Sequence, residues 1–464
     1  MIRIDDSTRP ERLQSAIECL WPLAARKLRS IDECFEDRDD APVFTVDGRY
    51  TSRGWTEWTQ GFQFGSLLLQ FDATDDDEFL HKGRARTLEK MAAHLTHFGV
   101  HDHGFNNVST YGNLRRLALE SRFSASSWER EFYGLALKVS AAVQARRWTS
   151  LPDGGGFIYS FNGPHSLFAD TIRSLRSLSL GHLLGHRMLE ENDRAVSLLE
   201  RLVQHALSTA RYIVFYGQGH DIYDVSGRIS HEAIFNLNDG SYRCPGTQQG
   251  YSPFSTWTRG LAWVICGFAE QLEFLESLPH SSFDRLGGRA KIESAFRRAC
   301  IATAQHYIEC CPSDGIPYWD TGAPGLRFLE GWADRPADPF NPHEPVDSSA
   351  AAIAAQGLLR LANYLSRNGK TPLEKRFRQA GLTVAGRLLQ EPYLSADPDH
   401  QGLLLHSVYH RPRGWDYVPD DRNIPCGEAS MWGDYHLMEL GVYLQRLIRN
   451  DAYLTFWGGS QTDV

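Results

Sequence analysis

The sequence predicts an all-α chain folded as an (α/α)6 barrel, a six-hairpin toroid forming a single domain over residues 1–464. Three observations predict it. Twelve segments carry apolar residues at helical spacing, at about 10–27, 57–72, 78–98, 105–121, 126–146, 166–188, 191–211, 254–275, 286–309, 347–365, 371–390 and 431–448. Alternating runs of Val, Ile and Thr are scarce, so no large sheet is expected. The segments also alternate in character, which is the pattern of inner helices nested inside outer ones.

The segments starting at 57, 105, 166, 254, 347 and 431 read as the inner helices. They are rich in small or apolar residues; SSAAAIAAQGLL at 348–359 holds five alanines. Small residues let a helix pack closely on several sides. The others read as outer helices and carry more charge, as in LEKRFRQAGLTVAGRLL at 373–389. Residues 1–30 supply the N-terminal extension and the first outer helix.

The connections alternate too. ATDDD at 73–77 is a short polar stop, whereas 28–56, 147–165, 212–253, 310–346 and 391–430 are long and rich in Gly, Pro and aromatics. Long loops inside a compact domain are usually functional, and several on one rim of a helical array would build one site. No Pro/Gly/Ser linker divides the chain. No consensus repeats at a fixed period, which argues against an open α-solenoid.

Composition narrows the function. Hydrophobic residues make up 42% and charged residues 23%, an ordinary globular balance. Lys and Arg number 48 against 57 Asp and Glu, a formal net charge of −9, which argues against nucleic-acid or anionic-membrane binding. No apolar stretch reaches the ~18 residues of a membrane span. The N-terminus MIRIDDSTRPERLQ lacks the apolar core of a secretory signal, so a cytoplasmic protein is expected. The eight cysteines form no CxxC pair and no Cys/His cluster, which fits reduced thiols and no metal site.

Six segments concentrate polar and aromatic residues at the expected starts of inner helices: 55–65, 97–107, 166–175, 244–263, 343–352 and 426–436. In a toroid they converge at one end, and aromatic walls with a few carboxylates suit a carbohydrate cleft. Asp102, in His101-Asp102-His103-Gly104-Phe105, has two readings: a cap for the helix near 105 or a site acid. Asp170, in LFADTIRSLRSLSL, sits inside a helical pattern and should face the interior, where burial and a second carboxylate would raise its pKa toward that of a general acid. Its alternative is a hydrogen-bonded structural acid. His231 lies in a loop. Gln249 and Arg259 flank the aromatic run Tyr251, Phe254, Trp257 and Trp263, and an Arg there needs a carboxylate or a substrate anion. Paired carboxylates suggest glycoside hydrolysis.

The motifs HDHGF (101–105), ADTIRSL (169–175), QGYSPFSTWTRGLAW (249–263), DSSAAAIAAQGLL (347–359), LLLHSVYHRP (403–412) and SMWGDYHLMEL (430–440) occur together and in order. By them the chain resembles the unsaturated glucuronyl hydrolases of glycoside hydrolase family 88, from about Trp58 to Glu439. The resemblance implies an (α/α)6 barrel with no metal and no organic cofactor. It implies a substrate that is an oligosaccharide bearing a 4,5-unsaturated uronic acid at its non-reducing end. Hydration of the enol ether then releases that sugar. Asp170 matches the acid/base and Asp102 the second essential aspartate, preceded by His101 as in the family. His231 and Gln249, 18 residues apart, match residues contacting the unsaturated ring. Trp257, Arg259 and Trp263 fall in the helix motif lining its pocket, with Trp58 on the same wall. Ser430 falls where the C-terminal loop approaches the next sugar. A homodimer is compatible with the reading.

The chain departs from the family pattern at Leu261, where Gln is usual, at Gln63, where Trp is usual, and near Phe161, the nearest aromatic to a missing stacking Trp. The RSLRSL run after the acid is a further departure. These put sugar specificity in question. Three other readings compete: an unsaturated rhamnogalacturonyl hydrolase of family 105 type, an α/α-barrel glucuronidase for saturated uronides, and a non-catalytic carbohydrate-binding protein. HDHGF and SMWGDYH favour family 88 over the first, and retention of both aspartates argues against the last.

Overall fold

Burial separates the helices into two kinds. In the computed structural model, which describes residues 1–53, 58–219, 221–369 and 372–458, the second helix, α2 (Gln60–Thr74), is buried from Gln60 to Ala73. The outer helix α9 (Arg289–Cys310) instead buries Ile292, Phe296, Ala299, Cys300, Thr303, Ala304, Tyr307 and Ile308. That spacing is a single stripe at helical period, as expected for a helix with one face on a core.

The twelve expected helices all form among the described residues, and inner and outer members alternate as predicted. The outer series is α1 (Gln14–Phe35), α3 (Asp77–Lys90), α5 (Ser127–Arg146), α7 (Leu198–Tyr212), α9 and α11 (Pro372–Leu388). The inner series is α2, then α4 (His103–Asn107, continued through a wide π turn at Val108–Gly112 into Asn113–Leu119), then α6 (Thr171–Ser174 running into Arg176–Leu183). It continues with α8 (Thr258–Glu276), α10 (Ser348–Arg367) and α12 (Met431–Arg449). Each inner helix packs on the next, and α12 packs back on α2, so the ring closes.

Local signals set the ends. Ser126 and Ser197 accept from the backbone N–H of Glu129 and Glu200, the S-x-x-E arrangement that satisfies exposed first-turn amides. Asp76 does the same at α3. The helix expected at 10–27 runs on to Phe35, because Leu28, Ile31 and Phe35 continue its buried face.

The largest differences flank the inner helix expected at 166–188. Ser166–Phe168 is instead strand β1, and the chain after α6 forms the hairpin 187–190/194–197, which also delays α7 to Leu198. β1 joins β2 (Glu232–Phe235) and β3 (Tyr242–Gly246) in a three-stranded antiparallel sheet. Asp170 therefore stands ahead of its helix, not within it. The expected helix starts at 57 and 371, and residues 55–57 of the first aromatic segment, lie outside the described residues.

Candidate active site

Strand register builds the site. Phe168 of β1 pairs with Glu232 of β2, and the next amide, Ala169 N–H, donates to His231 O at 2.9 Å. Asp170 and His231 are thereby held near each other although distant in sequence. The chain leaving β3 returns over the imidazole, where the amides of Gln248 and Gln249 donate to His231 Nδ1 at 3.0 and 3.2 Å. A ring nitrogen that accepts is unprotonated, so neutral His231 carries its proton on Nε2. Burial holds its pKa down at about 4, so it stays neutral near pH 7. Nε2 has no hydrogen-bond partner within the protein.

A close helix contact supplies the second wall. A Cβ on Gly104 would lie 2.1 Å from Ser174 O, so only glycine lets α4 approach α6 here. Gly104 N–H donates to Ser174 Oγ at 2.9 Å, and Ser174 Oγ donates to His101 O at 2.7 Å. Gln144 Nε2 donates to the same carbonyl at 2.9 Å. His101 is thus fixed with Nε2 3.3 Å from Asp170 Oδ2 and 3.6 Å from Asp102 Oδ1. All three side chains are buried.

Charge is unevenly shared in this trio. Burial alone would depress His101, but Asp102 and the hydrogen bond to Asp170 outweigh it and raise the imidazole above its ordinary 6.5. Burial raises Asp102 above the carboxylate range despite the pull of His101. Asp170 is buried as well, yet its hydrogen bond to His101 and the imidazole's charge bring it below its ordinary value. The raised carboxyl expected of Asp170 is therefore found on Asp102, because Asp170 is the one bonded to His101. Asp102 does occupy the N-cap position of α4, but its side chain makes no capping hydrogen bond. Asp170 Oδ1 has no partner within the protein.

The third wall is a clamp. Arg259 is buried and donates to Asp347 Oδ2 at 2.9 Å, Gln249 Oε1 at 2.9 Å and Tyr409 O at 2.8 Å, and also to Val408 O. Its guanidinium lies 4.7 Å from the Trp257 ring and 5.0 Å from that of Trp432. Asp347 meets its charge and also caps α10. Arg259 therefore acts as a positioning residue for Gln249 and for the 408–409 backbone.

These walls enclose a cavity of about 290 Å³, near the small end of the ~300–1,000 Å³ usual for ligand sites. Asp102, Asp170, His101, Gln249, Trp257, Arg259, Trp263, Trp58 and Phe161 all reach it. Phe161 lies nearly parallel to His101 at 6.0 Å. Trp58 packs on Trp432 at 4.9 Å, and Trp263 on Phe105 at 4.8 Å. His231 stands behind the wall, its ring 4.7 Å from Trp257.

Ser430 does not reach the cavity. It is fully buried and caps α12 by accepting from Gly433 N–H, because its backbone is bridged to Phe44. Gln63 and Leu261 are also buried away from the cavity, on α2 and α8. Of the six aromatic segments, 343–352 and 426–436 back the site through Asp347 and Trp432 without lining it. Their place is taken by Tyr409, His410 and Trp415 from the long 391–430 connection. The YHRP end of the 403–412 motif signalled the first two; Trp415 lies beyond it. Asp416, which accepts from the amides of Tyr409 and His410, had no sequence signal.

One imidazole and two carboxylates, with donor atoms within 4.8 Å of one another, also have the makeup of a metal triad. A metal there would need the three ligand groups deprotonated, so metal binding and proton exchange within the trio exclude each other.

No family model matches the chain. An unsaturated glucuronyl hydrolase from Bacillus sp. (strain GL1) is 28% identical over 437 residues, covering 93% of this chain and 97% of the relative. An unsaturated chondroitin disaccharide hydrolase from Streptococcus pyogenes serotype M1 is 23% identical over 450 residues, 94% of this chain and 95% of the relative. A crystal structure of the Bacillus sp. GL1 unsaturated glucuronyl hydrolase superposes with a TM-score of 0.69 at 24% identity, over 97% of this chain and all of that one. A crystal structure of an unsaturated glucuronyl hydrolase specific for heparin gives a TM-score of 0.70 at 17% identity, over 95% of this chain and 99% of the other.

Proposed function

We propose that this chain, a member of the unsaturated glucuronyl hydrolase family, is a glycoside hydrolase that hydrates the C4=C5 enol ether of a 4,5-unsaturated uronic acid at the non-reducing end of lyase-made oligosaccharides. The observation that carries the reading is Asp170, a buried carboxyl with Oδ2 bonded to His101, Oδ1 unpartnered, and an aromatic-walled cavity in front of it.

The chemistry follows from the trio. Asp170 gives a proton to C4, and the positive charge that develops spreads over C5 and the ring oxygen. The carboxylate left behind takes a proton from a water as that water's oxygen bonds to C5. The resulting hemiketal opens: C5 becomes a ketone, the C5–O5 bond breaks, and the hemiacetal left at C1 collapses to an aldehyde with release of the remaining sugar as an alcohol. In the free protein His101 holds the proton more firmly than Asp170 does. A substrate carboxylate entering this cavity raises the proton affinity of nearby acids, which favours transfer across the 3.3 Å contact onto Asp170. Asp102 holds His101 in its protonated form. Gln249 serves as a donor toward the ring and the tryptophans stack on it, while neutral His231, behind the wall, holds the Gln248–Gln249 backbone through Nδ1.

Loss of the C=C absorbance of lyase-made disaccharides with time tests the reading, with chondroitin products first because relatives carry that name. A decline on any member of a panel of chondroitin, heparin, gellan, ulvan and pectin products is expected. A flat trace on all would overturn it in favour of saturated uronides or binding alone. A chelator should leave the rate unchanged; loss that a metal restores would give the trio to a metal instead.

Chain 1–464 forms one catalytic domain in this reading, since closing the ring needs helices from both ends. No described helix is long and apolar enough to cross a membrane. All eight cysteines are unpaired, which fits a reducing compartment and supports a cytoplasmic enzyme. A homodimer is part of the proposal to be tested by light scattering.

A further inference from the structure

His410 is a buried polar side chain that the proposed mechanism leaves unused. It is 5% exposed, it lines the cavity, and neither ring nitrogen has a hydrogen-bond partner within the protein. Buried polar atoms are almost always paired, so an imidazole unpaired at both ends beside a cavity points to a ligand. Its support is built with care. Asp416 Oδ2 accepts its backbone N–H at 3.1 Å, Arg259 holds the preceding carbonyls of Val408 and Tyr409, and the Trp415 ring lies 4.9 Å from its own. The backbone is thus gripped from both sides while the polar edge of the ring is uncommitted.

We propose that His410 is a substrate-binding residue that reads two hydroxyls of the unsaturated uronyl sugar, donating a hydrogen bond to one and accepting from the other. A neutral imidazole has one N–H and one lone pair on divergent edges, and hydroxyls, which both accept and donate, are the sugar groups that answer the two. Burial, helped by the charges of Arg259 and Arg413, pushes its pKa down to about 3. It is therefore a poor partner for a carboxylate or sulfate, which would want a cation. It lines the same cavity as Asp170, and His231 is an electrostatic neighbour of both, so it faces the ring that reacts and not a distant sugar.

The inference rests on the hydration reading, and the test separates the two. The probe is whichever lyase-made disaccharide the wild type consumes. His410→Phe keeps an aromatic ring against Trp415 and removes both polar atoms. KM should rise about tenfold for the two lost hydrogen bonds, with kcat changed less than about threefold. Its Tm should hold or rise, because two unpaired buried nitrogens are gone; a structural histidine would lower it. His410→Gln, with one donor and one acceptor, should bring KM back to within about threefold of wild type. A His410→Phe enzyme with KM within twofold of wild type would overturn the proposal, as would a lowered Tm with KM unmoved. If the Phe variant fails to fold, His410→Leu, smaller and apolar, carries the same two outcomes. A wild type inactive on the whole panel sinks the reaction; an active wild type with an indifferent His410→Phe sinks only the role of His410.

Discussion

Two buried charge clusters hang from one inner helix, and they behave oppositely. At the N-terminus of α6, Asp170 meets His101 and Asp102: two carboxylates and one imidazole. One and two turns further along, Arg173 and Arg176 meet Glu270 and Glu439, with contacts of 3.1 Å for Arg173–Glu270, 2.8 Å for Arg173–Glu439 and 3.4 Å for Arg176–Glu439. The deeper cluster is balanced, two cations against two carboxylates. Burial would raise Glu439, but Arg173 and Arg176 hold it far below the usual range, so it does not titrate near neutrality. The upper cluster is short of positive charge: its two carboxylates raise His101, and burial, helped by Asp170, raises Asp102. Similar burial thus yields scaffold where charges cancel and groups with perturbed proton affinity, the makeup of an acid–base site, where they do not.

The largest expected effects fall on one member of each cluster. Asp170→Asn removes the proposed acid and should cut kcat/KM by about 10²–10⁴-fold or more while leaving Tm nearly unchanged. Arg173→Met should do the reverse. It strands Glu439 and Glu270, so unfolding stability should drop by about 3–5 kcal/mol, read in urea, while the folded fraction keeps its specific activity. If Arg173→Met loses turnover with stability intact, the division between the clusters is wrong.

A smaller effect sharpens the upper cluster. The activity profile should fall on its alkaline side above pH 6.5, as His101 loses the proton that Asp102 and Asp170 hold there. Asp102→Asn removes the first of those supports, so the limb should move to lower pH; a limb that stays in place would exclude Asp102 from this role. The stability linkages have definite signs. His101, raised in the fold, contributes stability below pH 6.5 that is lost as pH rises through its folded value. Asp170, lowered in the fold, contributes stability above pH 3.8 that is lost on acidification. Asp102, raised, opposes Asp170 over the acid range.

Helical period carried the ring in the sequence: each of the twelve stripes became a helix, and the small-residue segments became the inner wall. What period could not carry was β1. LFADTIRSL reads as helix residue by residue, but Ser166–Phe168 finds a partner in β2 from a distant loop, and a non-local pairing overrides local preference. That strand moved Asp170 from inside a helix to the head of one. The catalytic-looking residues were legible because they sit in unusual strings such as HDHGF. Asp347 and Asp416 carry no such signal, since an Asp ahead of an alanine run or within a loop is ordinary until its partners Arg259, Tyr409 and His410 are seen. The pKa order within the trio was also out of reach, because it depends on which carboxylate lies 3.3 Å and which 3.6 Å from one imidazole nitrogen.

The smallest expected effect concerns Ser430, where family likeness and packing disagree. Likeness puts it near the second sugar; packing puts it at the head of α12, with no exposed surface and its Oγ accepting from Gly433 N–H at 3.1 Å. A cap hydroxyl satisfies an amide that has no partner within the helix, and its loss typically costs ~1 kcal/mol. Ser430→Ala should therefore lower stability by about that amount and leave KM for every disaccharide within twofold. Ser430→Asp, which also caps, should be tolerated only where its extra bulk and charge can be housed, and the packed neighbours Ser407 and Ser349 beside Gly433 leave little room. If Ser430→Ala instead raised KM with Tm unchanged, the C-terminal loop must open in the substrate complex to expose that hydroxyl. The wall that contains Tyr409 and His410, part of the same 391–430 connection, would then move with it.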